Sequence, residues 1–390
     1  MKVLQLGKYY DPVVGGMETV LKEICEGLCD DVDFQVLVSN TRYRTVHETG
    51  KINVTRVATL GKFASCSMAP SFPFWARTFD PDLVHVHIAN PLAELAALSV
   101  KRDIPMVAHF HCDVIRSIPF KLRSLYERFL HAFYRRVDCI IVPTPRHVEV
   151  SKFVPHYRRK CRVVPFGIPL SRFDLDEKGQ RRVDDLRDEQ PTILFVGRLV
   201  PYKGAEFLIR AMTSVNARLW IVGEGPLEQS LKGLAATLGV SERVNFLGHV
   251  SEEDLVAYYH AADVFVLPSI TNQEMFGLVQ LEAMACRKPV ISTTLPTGVP
   301  WVNQHGTTGY TVAPGNSEEL AGAIEQLLSS AALREDMGEA GRRRVEQQFT
   351  SAKMAEGMLQ VYREVLSESY RTVESAEPIE ELETQVNEVY

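Results

Sequence analysis

No stretch of the 390-residue sequence approaches the run of about 18 apolar residues that a membrane-spanning helix needs. The N-terminus opens directly into a strand pattern, Val3-Leu4-Gln5-Leu6, without the apolar core of a signal peptide. The seven cysteines (25, 29, 66, 112, 139, 161 and 286) are scattered. None are paired at the spacing of a zinc site or a redox motif, so reduced thiols in a cytoplasmic compartment are expected. Positive charge is not in excess: 43 Lys and Arg stand against 49 Asp and Glu, a net charge of −6, which gives no support for nucleic-acid binding. The first strand-to-helix turn lacks G-x-G-x-x-G, which argues against an NAD-binding Rossmann enzyme, and no loop has the fixed spacing of a Walker motif.

What is present is length enough for two domains, with 45% apolar and 24% charged residues, ordinary for a globular protein. Strand and helix patterns alternate along nearly the whole chain. Strands are expected over 2–6, 34–38, 53–57, 83–87, 105–109, 139–142 and 162–164, and helices over 17–28, 91–100, 121–136 and 145–153. Residues 174–190 are polar without an apolar period and read as a linker or surface excursion. A second series follows, from a strand over 192–196 to helices over 318–328, 331–348 and 352–366. The fold class expected is α/β, two doubly wound parallel-sheet domains of Rossmann-like type.

Ligands bind such sheets at the carboxyl ends of the strands. Gly15-Gly16 opens the first helix, where a ligand can approach the backbone closely and meet free N–H groups. Two strand ends carry histidines, His85/His87 and His109/His111, each pair on one face. No carboxylate or thiolate set accompanies them, so no metal is expected. His111 and Asp113, last out of their strand, are best placed to reach a ligand, and His109 reads as a satisfied core residue. Asp-x-Asp occurs at Asp31/Asp33, Asp80/Asp82 and Asp174/Asp176; all three read as solvated turns rather than metal sites.

The second series holds more loop chemistry. Gly197-Arg198-Leu199-Val200-Pro201-Tyr202-Lys203-Gly204 flanks a glycine-bearing loop with two cations suited to a diphosphate. Glu274 and Glu282 frame the turn around Phe276-Gly277-Leu278. Eight residues of helix would mean about 12 Å of rise and about 80° of rotation, so the two acids are not neighbours on one helix face. Glu274 belongs in the loop and Glu282 in the helix, with free N–H groups near Phe276–Val279 facing a phosphate. Carboxylates beside a diphosphate should take hydroxyls, and a diphosphate flanked by hydroxyl-rich groups is a nucleotide sugar. From Arg116 to Arg162 twelve Lys and Arg face Glu127, Asp138 and Glu149. The amphipathic helix inside that segment is either a core helix with a solvated basic face or a dock on an anionic membrane surface.

Together, Gly15-Gly16, Arg198/Lys203 and Glu274-x7-Glu282 in two doubly wound domains resemble retaining glycosyltransferase family 4, with the GT-B fold of two domains facing across a cleft. Phe110-His111-Cys112-Asp113, the start of the chain and Thr297-Gly298-Val299-Pro300 are similar to bacterial mannosyl/rhamnosyltransferases of surface-polysaccharide biosynthesis. The resemblance implies an acceptor-binding domain (1–169 plus a returning helix, 352–370), a donor-binding domain (170–351) and a tail (371–390) without expected order. It implies His111, Arg198, Lys203 and Glu274 as catalytic residues. Gly16, Val250, Phe276, Gly277, Leu278 and Glu282 would complete the donor site, with Glu282 on the ribose and the base near Val250. Gly15, Gly16, Asp113 and Arg116 would serve the acceptor. No cofactor is expected; the donor would be a nucleotide diphosphate sugar, GDP-mannose, and the acceptor a lipid-linked saccharide at the cytoplasmic face of the membrane. A GT-B sugar epimerase, a UDP-sugar-dependent transferase and a non-catalytic nucleotide-sugar-binding protein are the rival readings.

Overall fold

The computed structural model describes residues 1–13, 15–63, 66–113 and 120–367. Arg116 and the acidic tail lie outside them. The chain divides into two compact units: Met1–Gly167 joined by the chain from Ser351 onward, and Ile168–Thr350.

The first unit contains β1 (Lys2–Leu6), α1 (Gly16–Leu28), β2 (Asp33–Ser39), β3 (Val46–Glu48), β4 (Asn53–Val57), the short pair β5 (Lys62–Phe63) and β6 (Cys66–Ser67), and α2 (Phe72–Ala76). It continues with β7 (Leu83–Ile88), α3 (Pro91–Ser99), β8 (Met106–Phe110), α4 (Phe120–Arg136), β9 (Cys139–Val142), α5 (Pro145–Val150) and β10 (Cys161–Val163). Its sheet has the order β10-β9-β8-β7-β1-β2-β4-β3, parallel except for β3 against β4. Every residue of β7, β8 and β9 is buried, as helices on both faces of a parallel sheet demand. Strand order reverses at β1, which lies between β2 and β7, so the loops after β1 and β7 part there and open a crevice.

The second unit contains α6 (Glu177–Leu186), β11 (Thr192–Val196), α7 (Ala205–Ala211), β12 (Arg218–Val222), α8 (Glu228–Thr237), β13 (Val244–Gly248), α9 (Glu252–Ala261) and β14 (Val264–Leu267). Then come α10 (Leu278–Ala285), β15 (Val290–Thr293), α11 (Val299–Val302), β16 (Gly309–Val312), α12 (Ser317–Leu328) and α13 (Ala331–Gln348). Six parallel strands run β13-β12-β11-β14-β15-β16, with the reversal between β11 and β14. The last helix, α14 (Ser351–Leu366), packs on α1 in the first unit. Gly27 and Gly357 let it come close: a Cβ at either would lie 3.1 Å from Ala355 or Val164.

The expected strands and helices are found within a few residues, with one correction. Residues 174–190, expected as a linker or surface excursion, hold a regular surface helix, α6. Asp176 caps it, accepting from Gly179 N at 2.7 Å, and Arg182 reaches Glu253 of α9 at 2.8 Å. Val183 is its one buried residue, so ion pairs rather than an apolar stripe dock it, and no hydrophobic period was there to read.

In α4, Leu130 and Phe133 enter the core, whereas Leu125 is 67% exposed. Several cations of the basic segment are used internally: Lys152 pairs with Glu127, Arg158 with Glu149, and Lys160 donates to the carbonyls of Arg135 and Val137. No helix among the described residues is long and apolar enough to cross a membrane.

Candidate functional site

Most of the sequence-expected residues that the structure describes follow the carboxyl ends of strands, some in each unit. In the second unit the loop after β11 carries Arg198 and Lys203, and the loop after β14 carries Glu274. The two loops meet at the strand reversal. Ile270 N donates to Tyr202 O at 2.8 Å, and Gly204 allows the contact: with φ +67, its missing Cβ would lie 2.1 Å from Pro268 O. Lys203 Nζ reaches Glu274 Oε2 at 2.6 Å, both side chains nearly buried. Ser269 donates to the same oxygen at 2.8 Å, and Thr293 holds Ser269 through its carbonyl at 2.6 Å. Burial works against the Lys203 charge, but the Glu274 carboxylate, with Tyr202, more than offsets it and raises the pKa above its ordinary value. Arg198 is exposed, its nearest polar partner the Tyr202 hydroxyl at 3.5 Å.

Glu274 sits in the loop and Glu282 inside α10, as the helix arithmetic requires. Gly277, at φ +75, begins that helix, and no side chain caps it. The N–H groups of its first turn and the positive end of its dipole are thus available to an anion. Phe276 is buried against Phe349, leaving its backbone rather than its ring at the turn. Glu282 is half-buried; its Oε2 accepts from Tyr259 at 2.7 Å, and burial raises its pKa. Gly223 N donates to Gly248 O at 2.8 Å, bringing the turn before Val250 against the loop after β12.

In the first unit the loop after β1 leads to Gly15 and Gly16, where α1 starts without a side-chain cap. Arg56 of β4 fixes that loop by donating to the carbonyls of Tyr10 and Asp11. A Cβ at Gly16 would meet nothing within 4 Å, so packing does not demand glycine there. His111 follows β8. Its ring stacks on Phe166 at 5.2 Å, its Nε2 lies 3.0 Å from His87 Nδ1, and burial lowers its pKa to about 3. Asp113 spends both carboxylate oxygens on Ser151 Oγ and Lys152 N, at 3.1 and 2.8 Å, holding the end of α5.

His109 is a core residue but not a satisfied one: neither ring nitrogen has a partner among the described residues. His85, His87 and His109 offer ring nitrogens within 4.8 Å of one another. Both nitrogens of His87 are already engaged, by His111 and by Gln5. Four of the six Asp-x-Asp aspartates are engaged too: Asp80 with Lys101, Asp82 with Lys2 N, Asp174 with Arg342 and Asp176 as a cap. Sequence reading missed Ser269, Tyr259, Gln5 and Tyr362, which support the site from behind. Ser269 reaches it from the same loop as Glu274 and the other three through tertiary contact, and no local motif marks them.

Family models cover both units. Residues 14–172 match the one described as Glycosyltransferase Family 4, and residues 176–344 the one described as Glycosyl transferases group 1. The D-rhamnosyltransferase WbpZ of Pseudomonas aeruginosa is 33% identical over 359 residues, 90% of this chain and 92% of its own. The O-antigen chain mannosyltransferase C of Escherichia coli is 28% identical, over 94% of this chain and 99% of its own. Among solved structures, the sucrose-phosphate synthase of Thermosynechococcus elongatus superposes with a TM-score of 0.78 at 23% identity, covering 93% of this chain and 98% of that one. The two parallel-sheet units are those of the GT-B fold, and the chain belongs to glycosyltransferase family 4.

Proposed function

We propose that this glycosyltransferase moves mannose from GDP-mannose, with retained configuration, to a hydroxyl of a lipid-linked saccharide in surface-polysaccharide assembly. The observation that carries the reading is the Lys203–Glu274 pair beside the uncapped start of α10. A cation and a helix N-terminus suit a diphosphate; a carboxylate between them suits sugar hydroxyls. The two full-length relatives support the sugar, since rhamnose is 6-deoxymannose and both names therefore share one ring configuration.

In the reaction the bond from the anomeric carbon to the diphosphate oxygen breaks, and its electron pair leaves with the nucleotide. The acceptor oxygen bonds that carbon from the same face and passes its proton to the departing phosphate oxygen. Negative charge grows on the leaving group, where Lys203, Arg198 and the α10 N–H groups stabilise it; one such donor is typically worth about 3–4 kcal/mol. Glu282, held by Tyr259, takes the ribose, and the base lies near Val250. Gly16 and His111 serve the transfer from the first unit. Lys203 and Arg198 supply the positive charge a divalent ion would bring, so the transfer is metal-independent. Exposed Leu125 with Arg128 on α4 presents the enzyme to the anionic cytoplasmic membrane surface.

Thermal shift against GDP-, UDP- and dTDP-sugars, followed by mass spectrometry of products on lipid-pyrophosphate saccharides with and without EDTA, tests the donor, the transfer and its metal independence; NMR of the new glycosidic bond tests the retained configuration. Saturation at a hundred times Kd should add about 2.7 kcal/mol for the true donor. Stabilisation by UDP-sugars alone would overturn the donor; free epimer, or binding without transfer, would overturn the reaction; loss of turnover in EDTA would restore a metal.

A further inference from the structure

Behind His111 runs a chain of hydrogen bonds among groups with almost no access to water. His111 Nε2 lies 3.0 Å from His87 Nδ1, and His87 Nε2 lies 3.0 Å from Gln5 Oε1. Gln5 Nε2 lies 3.0 Å from the Tyr362 hydroxyl, which lies 2.6 Å from His85 Nδ1. The parallel register that sets Gln5 beside His85, and His87 beside His109, brings these side chains together, and α14 supplies Tyr362.

We propose that Gln5 and Tyr362 are positioning residues: through this chain they hold His111 in the tautomer protonated at Nε2, so that its Nδ1 lone pair accepts from a hydroxyl of the sugar substrate. The last clause rests on the placement of His111 at the transfer site; the tautomer does not.

The direction of the bonds toward His111 follows from one amide. An amide oxygen only accepts, so His87 Nε2 donates to Gln5. A neutral imidazole has one N–H, so His87 Nδ1 accepts and His111 Nε2 donates to it. On the other side the Gln5 N–H donates to Tyr362, whose hydroxyl pairs with His85 Nδ1 at 2.6 Å. Burial lowers the pKa of His85 and His111 to about 3 and that of His87 well below its ordinary value, so all three rings stay neutral and each offers one donor and one acceptor. The one other consistent arrangement is complete reversal, with the Gln5 amide turned over and Nδ1 of His111 protonated. The amide stands in the first orientation, its NH2 group 3.0 Å from the Tyr362 hydroxyl and its oxygen 3.0 Å from His87 Nε2, and without that hydroxyl the NH2 group would lose its acceptor. His85 Nε2 has no partner among the described residues, so the unmatched end of the chain is the one farthest from His111. The Nδ1 of His111 has no partner within the first unit's described residues and is the one position where the chain can take up a ligand proton donor.

The test is nitrogen NMR on the unliganded full-length protein carrying 15N-histidine, with the His111 signals assigned by their loss in His111→Gln. Wild type should show a single species, pyridine-like at Nδ1 and pyrrole-like at Nε2. In Tyr362→Phe the amide NH2 group loses its acceptor, both tautomers of His111 should appear, and kcat should fall about tenfold, with the donor KM within about twofold. A wild-type His111 protonated at Nδ1 overturns the proposal by itself, whether or not Tyr362→Phe folds. So does a folded Tyr362→Phe that keeps the wild-type tautomer and kcat. If the spectra are as expected but His111→Gln transfers sugar at the wild-type rate, the relay stands and its role toward the substrate falls.

Discussion

Lys203 Nζ lies 2.6 Å from Glu274 Oε2, so the cation expected to face a diphosphate and the acid expected to face sugar hydroxyls hold one another. Each stands at the end of a different strand, β11 or β14, on the two sides of the strand reversal. The pair keeps a nearly buried lysine charged without a ligand. In the proposed reaction an incoming diphosphate competes for the ammonium, and the carboxylate it releases becomes free for the sugar.

Lys203→Ala is therefore expected to lower kcat by a factor of about 10² to 10³, since the charge it stabilises develops in the transition state. Glu282→Ala, away from the breaking bond, should instead raise the donor Kd, with kcat at saturation little changed. Steady-state kinetics and calorimetric titration separate the two. Equal, negligible effects from both substitutions would remove the assignment.

Two glycines should part company on substitution. Gly277 has φ +75, and a Cβ there would lie 2.7 Å from Leu267 Cδ2, so Gly277→Ala should cost stability by about 1–3 kcal/mol as well as activity. Gly16 starts α1 with open space around its absent Cβ. Gly16→Ala should leave the melting temperature unchanged or slightly raised while transfer falls. Activity retained in Gly16→Ala would mean that no ligand approaches that backbone.

The alternation of strands and helices was readable because buried parallel strands are short apolar runs and the helices between them carry apolar stripes. Glu274 and Glu282 were separable by helix geometry alone. The direct Lys203–Glu274 contact was not: it depends on Gly204 and Pro268 meeting across two loops 64 residues apart in sequence. Helix α6 escaped because charge pairs dock it. The histidines of β7 and β8 were visible as a set, but their partner Tyr362 comes from the far end of the chain, where nothing in its helix marks it as polar support.

Membrane contact through α4 has a direct test. Leu125 is exposed and Arg128 lies one turn along the same helix. Replacing both by Glu removes one apolar insertion and one cation worth about 1 kcal/mol at an anionic surface, and adds repulsion. Cosedimentation with phosphatidylglycerol vesicles should drop in Leu125→Glu/Arg128→Glu, while turnover of a water-soluble acceptor stays at the wild-type level. Unchanged sedimentation would return α4 to a purely structural role.

Glu94 gives the fold a pH dependence of a definite sign. It is 1% exposed near the start of α3, where its carboxyl accepts from Asn90 N and from Tyr126 at 3.0 Å. Burial raises its pKa to about 7, and those two hydrogen bonds only partly restrain the rise. A folded-state pKa above the unfolded 4.5 means that the folded chain binds this proton more tightly. Its contribution is therefore neutral below pH 4.5, becomes increasingly unfavourable as pH rises toward 7, and levels off above that, a total of about 3 kcal/mol. Glu94→Gln keeps the shape and stays uncharged. Its stability relative to wild type should improve by about 3 kcal/mol between pH 4.5 and pH 8, read from urea unfolding of both chains at the two pH values. A difference that does not move with pH would show that the folded protein does not raise the Glu94 pKa.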